Sequence, residues 1–411
     1  MKGKLFLLIC FVLYAIALAQ PLEITAPENV GFSSERLDRI KPLMQSYIDE
    51  GKLSGLATLV ARHGEVVHFE TYGMKNIESK DPITKDTIFR IYSMSKPVAS
   101  TAAMILYEEG KFQLNDPVSK YIPEFKKLKV FAGGTADHPI VEDQVRELQI
   151  IDLFRHTSGF TYGWNPTAVD TLYGRNKVRD PRESLHDMIV KLSDIPLLFQ
   201  PGTQYNYSVS IDVLGYLVQV ISGMPFDQFM QERIFGPLQM NDTGFYVPKD
   251  KLDRFATLYQ LRDGALVASD VPKSSSYQKP PAAPSGGGGL VSTVSDYLKF
   301  AQMILNKGEY NGTRILGRQT VEYMLTAHFP DGLEVNPGEV FGIGFGITTD
   351  PARTDILCSQ GEAAWSGAAN TFFWVDPRED MIYMVWTQLF PWGAYDFRNQ
   401  FRVMVHSAII D

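Results

Sequence analysis

Apolar residues recur at helical spacing over residues 33–50, where Leu37, Ile40, Leu43, Met44 and Ile48 follow two cap-type serines and predict an amphipathic helix. From Leu56 to Tyr72 the pattern changes to two short apolar runs around Arg62-His63-Gly64-Glu65, which predicts a β-hairpin. Strand patterning returns near the C-terminus. There Phe341 to Thr348, Ala364 to Val375 and Met381 to Leu389 read as three strands, the last two joined by the turn Asp376-Pro377-Arg378-Glu379-Asp380. Between these regions helical patterns dominate, at 97–110, 148–155, 184–193, 209–222, 225–233 and 293–306. The strongest breaker is K-P-P-A-A-P-S-G-G-G-G, from Lys279 to Gly289. Strands from distant parts of the chain predict an α+β fold. It would hold one five-stranded antiparallel sheet, flanked by the first helix and a last one at 395–410, with a mostly helical domain inserted. The expected division is a discontinuous sheet domain, 20–92 and 290–411, and an inserted domain, 93–289.

The first twenty residues break this pattern. Lys2 and Lys4 precede an apolar run from Leu5 to Leu18, and Ala17-Leu18-Ala19 supplies a small-x-small cleavage pattern. The run falls short of the roughly 20 apolar residues that a spanning helix needs. Residues 1–19 are therefore expected to be a signal peptide cleaved after Ala19, leaving a secreted or periplasmic protein with no stable membrane insertion. Cys10 lies inside the leader, so the mature chain keeps Cys358 alone and forms no internal disulfide. Asn206-Tyr207-Ser208 is a glycosylation sequon, which weighs against a eukaryotic secretory route once Tyr207 has a role in the chemistry.

Composition narrows the partners. The 411 residues are 45% hydrophobic and 21% charged, enough apolar material for a large core. A net charge of −8 with no Lys/Arg stripe argues against nucleic acid. The seven histidines are scattered and neither H-x-x-x-H nor C-x-x-C occurs, so no metal or other cofactor is expected. A P-loop is absent, and no serine has glycine at both −2 and +2, which removes the α/β-hydrolase elbow.

Ser93-Met94-Ser95-Lys96 is the candidate chemistry. The Ser-x-x-Lys spacing occurs twice, but Ser276 to Lys279 runs into prolines that prevent a helix. The first copy opens a strong helical pattern, so its i+3 spacing puts the Lys96 amine on the face of Ser93. A serine hydroxyl needs a neighbour to take its proton, and burial at a helix N-terminus lowers the lysine pKa so that it can. Taken alone, the tetrad reads better as a helix cap at Ser93 and a solvated side chain at Lys96. The surrounding blocks are more specific: I-Y-S-M-S-K-P from Ile91, L-F-R-H-T-S-G-F from Leu153, P-G-T-Q-Y-N-Y-S from Pro201, M-N-D-T-G-F from Met240 and G-G-G-L-V-S-T from Gly287.

Together, and in this order, they resemble the serine β-lactamase and penicillin-binding protein superfamily, in particular its class C branch and the carboxylesterases of the same fold. The resemblance implies a β-lactamase-like fold with Ser93, Lys96 and Tyr207 as catalytic residues. It also implies an oxyanion hole from the N–H groups of Ser93 and Ala368. Two family positions differ here: the Tyr-x-Asn motif reads Tyr207-Ser208-Val209, and the Lys-Thr-Gly motif reads Trp365-Ser366-Gly367. Losing the lysine removes a cation for a ligand carboxylate, and a charge-assisted hydrogen bond is worth about 1.5–3 kcal/mol. The resulting expectation is a serine hydrolase acting through an acyl-enzyme on small uncharged carboxylic esters. Trp365, Ser366, Gly367, Tyr162, Trp164 and Val209 would bind substrate, and Trp386 and Trp392 are further pocket candidates. Alternatives are a class C-like β-lactamase or D-amino-acid peptidase that holds the carboxylate with another cation, an acyltransferase, and a non-catalytic sensor or scaffold. The sequence is silent on oligomeric state.

Overall fold

A computed structural model describes residues 22–411. The predicted leader, 1–19 with Cys10, lies outside the described residues. The predicted hairpin forms as β1 (Gly55–Arg62) and β2 (Glu65–Asn76), because His63 and Gly64 supply the positive φ, 54° and 79°, that a two-residue turn requires. Six more strands join it: β3 (Asp81–Pro82), β4 (Glu339–Phe341), β5 (Gly346–Thr348), β6 (Ala363–Gly367), β7 (Thr371–Asp376) and β8 (Met381–Thr387). Their order is β4-β5-β6-β7-β8-β1-β2-β3, with every neighbour antiparallel.

The sheet thus has eight strands, not the five expected. Two of the predicted strands are hairpins. Phe341 to Thr348 folds back at Gly342–Phe345, where Gly344 has φ 82° and a Cβ would come within 2.5 Å of Ser100 Oγ. Ala364 to Val375 folds back at Ala368–Asn370, where Asn370 takes φ 62°. The Asn370 amide holds that turn by donating to the carbonyls of Leu389 (2.7 Å) and Pro391 (3.0 Å). The arms of the second hairpin, A-A-W-S-G and T-F-F-W-V-D, show no regular alternation of apolar and polar residues that could reveal the break. The two-residue edge strand β3 is the third addition.

Central strand β1 is buried along its whole length because both faces of the sheet are covered. On one face lie α1 (Ile40–Asp49) and α5 (Phe397–Ser407), packed with Phe32, Leu56, Val60, Trp374 and Tyr383. On the other lie α2 (Ser95–Glu108), α3 (Ser210–Ser222) and α4 (Val294–Leu305), which share one continuous apolar core with Leu59, Phe373, Met384 and Trp386. A buried polar network fastens α5 to the sheet: Glu362 pairs with Arg402 and accepts from the Tyr383 hydroxyl at 2.6 Å, which lies 3.0 Å from His406 Nε2. Glu362, Asp376 and His406 form a metal-like cluster among the described residues, but Arg402 and Tyr383 already occupy the Glu362 oxygens. No helix of the described residues is long and apolar enough to cross a membrane.

Candidate active site

Ser93 lies in the single 3-10 turn Tyr92–Met94 that runs directly into α2. Tyr92 has φ 42°, a strained value for a side chain of its size. Neighbouring hydrogen bonds hold that turn in place. The Ser95 hydroxyl donates to the Tyr92 carbonyl (2.6 Å) and accepts from the Leu290 N–H (3.0 Å), and the Tyr297 hydroxyl donates to the Met94 carbonyl (2.9 Å).

Lys96 sits in the first turn of α2 and is fully buried. Its Nζ lies 3.2 Å from Ser93 Oγ and donates to the Gly287 carbonyl at 2.6 Å. Burial pulls the amine down to about 7; Asp212 opposes that shift and Arg179 adds to it. Tyr207 lies three residues before the start of α3, and its ring centroid is 4.3 Å from the Lys96 nitrogen. Burial pushes the Tyr207 phenol up, against weaker opposition from Ser93 and Trp365. The pair therefore presents an amine that loses its proton near neutrality beside a phenol that keeps its own.

The third wall is the end of β6. A Cβ on Gly367 would lie 2.3 Å from both the Ile91 carbonyl and Thr371 Oγ1, so only glycine lets the strand approach the Ser93 turn this closely. That approach brings Ala368 to the same cleft as Ser93. Trp365 packs its ring against Phe341 (4.8 Å between centroids) and Tyr207 (5.7 Å), and its indole N–H points at the Tyr207 hydroxyl over a long 3.4 Å. The cleft holds about 1080 Å³ and is lined by Ser93, Tyr207, Trp365, Ser366, Gly367 and Ala368.

Of the remaining predicted residues, Trp164 and Trp392 also line this cleft, both largely exposed. Tyr162 stands behind it, stacked on Trp164 at 4.3 Å, with its ring 5.5 Å from the Lys96 nitrogen. Val209 does not reach the cleft: it is fully buried at the start of α3, facing the core where a family asparagine would face substrate. Trp386 is likewise a core residue, edge-on to Phe89 and Tyr297. Tyr205 lies in the cleft wall against Phe329 and Phe341. The sequence reading missed Asp212, the backbone of Gly287, and Arg179, which stacks over Tyr162 and Trp164. Asp212 had a visible signal, being the single charged residue in the otherwise apolar or polar helix Ser210–Ser222.

Comparison with known proteins gives the family and the fold. The Beta-lactamase family profile matches residues 38–406. Protein Rv1367c of Mycobacterium tuberculosis is 36% identical over 371 residues, covering 86% of this chain and 90% of its own. Esterase EstB of Burkholderia gladioli is 28% identical over 359 residues, 82% of this chain and 86% of the relative. Among solved structures, EstCE1, described as a hydrolase with promiscuous acyltransferase activity, superposes with a TM-score of 0.78 at 27% identity, covering 92% of this chain and 99% of its own. With a matching profile over nearly the whole described chain and the Ser-Lys-Tyr cluster at the head of α2, the protein belongs to the beta-lactamase family and is a serine hydrolase of that fold.

Proposed function

We propose that the protein hydrolyses small uncharged carboxylic esters through an acyl-enzyme on Ser93. The observation that carries this reading is the buried Lys96 amine, 3.2 Å from Ser93 Oγ and pulled down to about 7. An unprotonated Lys96 takes the Ser93 proton as Oγ attacks the ester carbonyl. The tetrahedral oxyanion is held by the N–H groups of Ser93 and Ala368. As the C–O bond breaks, the Lys96 ammonium returns the proton to the leaving alcohol through the Tyr207 hydroxyl. A water then loses a proton to the same pair, attacks the acyl carbonyl and frees Ser93. Trp365 supports the ester preference, since an aromatic ring occupies the position of the family's carboxylate-binding lysine.

Replacing Ser93 by alanine is expected to abolish hydrolysis of a short p-nitrophenyl ester. A Ser93→Ala protein working at the wild-type rate would refute the proposal. A lactam reading has one specific support: Arg398 lines the same cleft, over the rings of Phe372 (5.3 Å) and Trp392 (5.2 Å), and hydrogen-bonds only Asn399 among the described residues. It is a cation free to meet a ligand carboxylate. Acyl transfer to an alcohol uses the same residues, and the likeness to EstCE1 supports testing it. The proposal includes export to the periplasm or medium, which rests on the Lys2 to Ala19 leader pattern.

A further inference from the structure

Behind Lys96 lies a second set of polar groups that the mechanism above does not use. Asp212 stands in the first turn of α3 and is nearly fully buried. Its Oδ1 accepts the Gly287 N–H at 3.0 Å and the Ser285 hydroxyl by a short hydrogen bond. The same Gly287 peptide presents its carbonyl to Lys96 Nζ at 2.6 Å. One carboxylate thus clamps both ends of the Ser285-Gly286-Gly287 bend, and that bend sets where the lysine amine rests. The site tolerates no side chain at Gly287: a Cβ there would fall 2.6 Å from Asp212 Oδ2 and 2.9 Å from the Tyr162 hydroxyl.

We propose that Asp212 is a positioning residue for the reaction at Ser93. It fixes the Gly287 carbonyl that aims the Lys96 amine at the serine, and it supplies the negative charge facing that amine. The Asp212 carboxylate accepts from both donors in the first turn of α3, where the helix dipole favours negative charge. The other groups facing Lys96 push the opposite way or are neutral. Arg179 lies over the outer face of the Tyr162 ring, Tyr162 and Tyr207 are phenols driven up by burial, and His156 is held well below its ordinary value by burial and by Lys96 itself. Asp212 is therefore the negative charge that keeps the amine from losing its basicity in a buried, cation-flanked site.

The inference rests on Lys96 as the base but not on the ester as substrate, so the test reads Ser93 reactivity directly. The probe is a fluorophosphonate, which labels an activated serine, and the labelling rate is followed against pH in the full-length protein. For the wild type the rate rises as pH passes through about 7. Asp212→Asn keeps a hydrogen-bond acceptor and removes the charge, and its midpoint is expected to fall by about half a pH unit or more. Ser285→Ala keeps the charge and loosens the clamp, and is expected to slow labelling several-fold with the midpoint unmoved. An Asp212→Asn protein with wild-type near-UV circular dichroism and an unshifted midpoint overturns the proposal. So does an unchanged labelling rate in Ser285→Ala, which decides the matter if the asparagine variant does not fold. Loss of ester hydrolysis with labelling intact would instead count against the substrate reading alone.

Discussion

Lys96 and Tyr207 are neighbours that burial drives in opposite directions, the amine down to about 7 and the phenol up. The sign of the pH dependence follows. Below the Lys96 pKa the amine holds a proton and cannot accept one from Ser93; above it the free lone pair is available, while Tyr207 stays neutral and able to donate. The value of kcat/KM for a neutral ester is therefore expected to climb through about pH 7 and level off above it. A pH–rate profile checks this, and one that is flat from about pH 5 to pH 9 would remove Lys96 as the base. At this scale much was legible. Ser93, Tyr207, Trp365, Ser366, Gly367 and Ala368 line one cleft, and Lys96 lies buried beside Ser93 and Tyr207. Val209 was misplaced because the sequence around Tyr207 fixes its order along the chain, whereas the start of α3 turns that side chain into the core.

The reactive geometry belongs to two elements, the Ser93 turn and the end of β6, pressed together at Gly367. Since a Cβ there would meet the Ile91 carbonyl at 2.3 Å, Gly367→Ala must push the strand away from the turn. A displacement near 1 Å in a preorganised site costs about a hundredfold in rate, and kcat is expected to fall by that order with the protein still folded. Steady-state kinetics beside a thermal melt separates the two effects. The helices were readable because their apolar stripes recur at a fixed spacing: 97–110, 209–222 and 293–306 appear as Ser95–Glu108, Ser210–Ser222 and Val294–Leu305. The strands were less so. Thr371–Asp376 is buried on both faces and the preceding arm, Ala363–Gly367, has a single polar side chain, so no alternation marks where the chain reverses. One omission had a signal. Asp263-Gly264 is a strong hairpin turn, and the strands Leu258–Arg262 and Ala265–Asp270 flank it.

Across the whole molecule, α5 ties down the sheet face opposite α2, and its Arg398 and Arg402 also reach the cleft that Ser93 lines. Glu362, fully buried, is the countercharge of Arg402, and removing it leaves a guanidinium buried without its partner. Breaking such a pair costs about 3–5 kcal/mol. Glu362→Gln is thus expected to lower the urea midpoint strongly. Equilibrium unfolding followed by tryptophan fluorescence measures it. What the fold as a whole selects is decided at the cleft, where Trp365 replaces a cation and Arg398 stands farther along the wall. The direct test is kcat/KM for a p-nitrophenyl ester and for nitrocefin on one preparation, with Ser93→Ala as the blank. The account predicts that the ester is favoured by at least about tenfold, the worth of one charge-assisted contact, and that the blank is inactive on both. Faster turnover of nitrocefin, or ester hydrolysis that survives without Ser93, would contradict it.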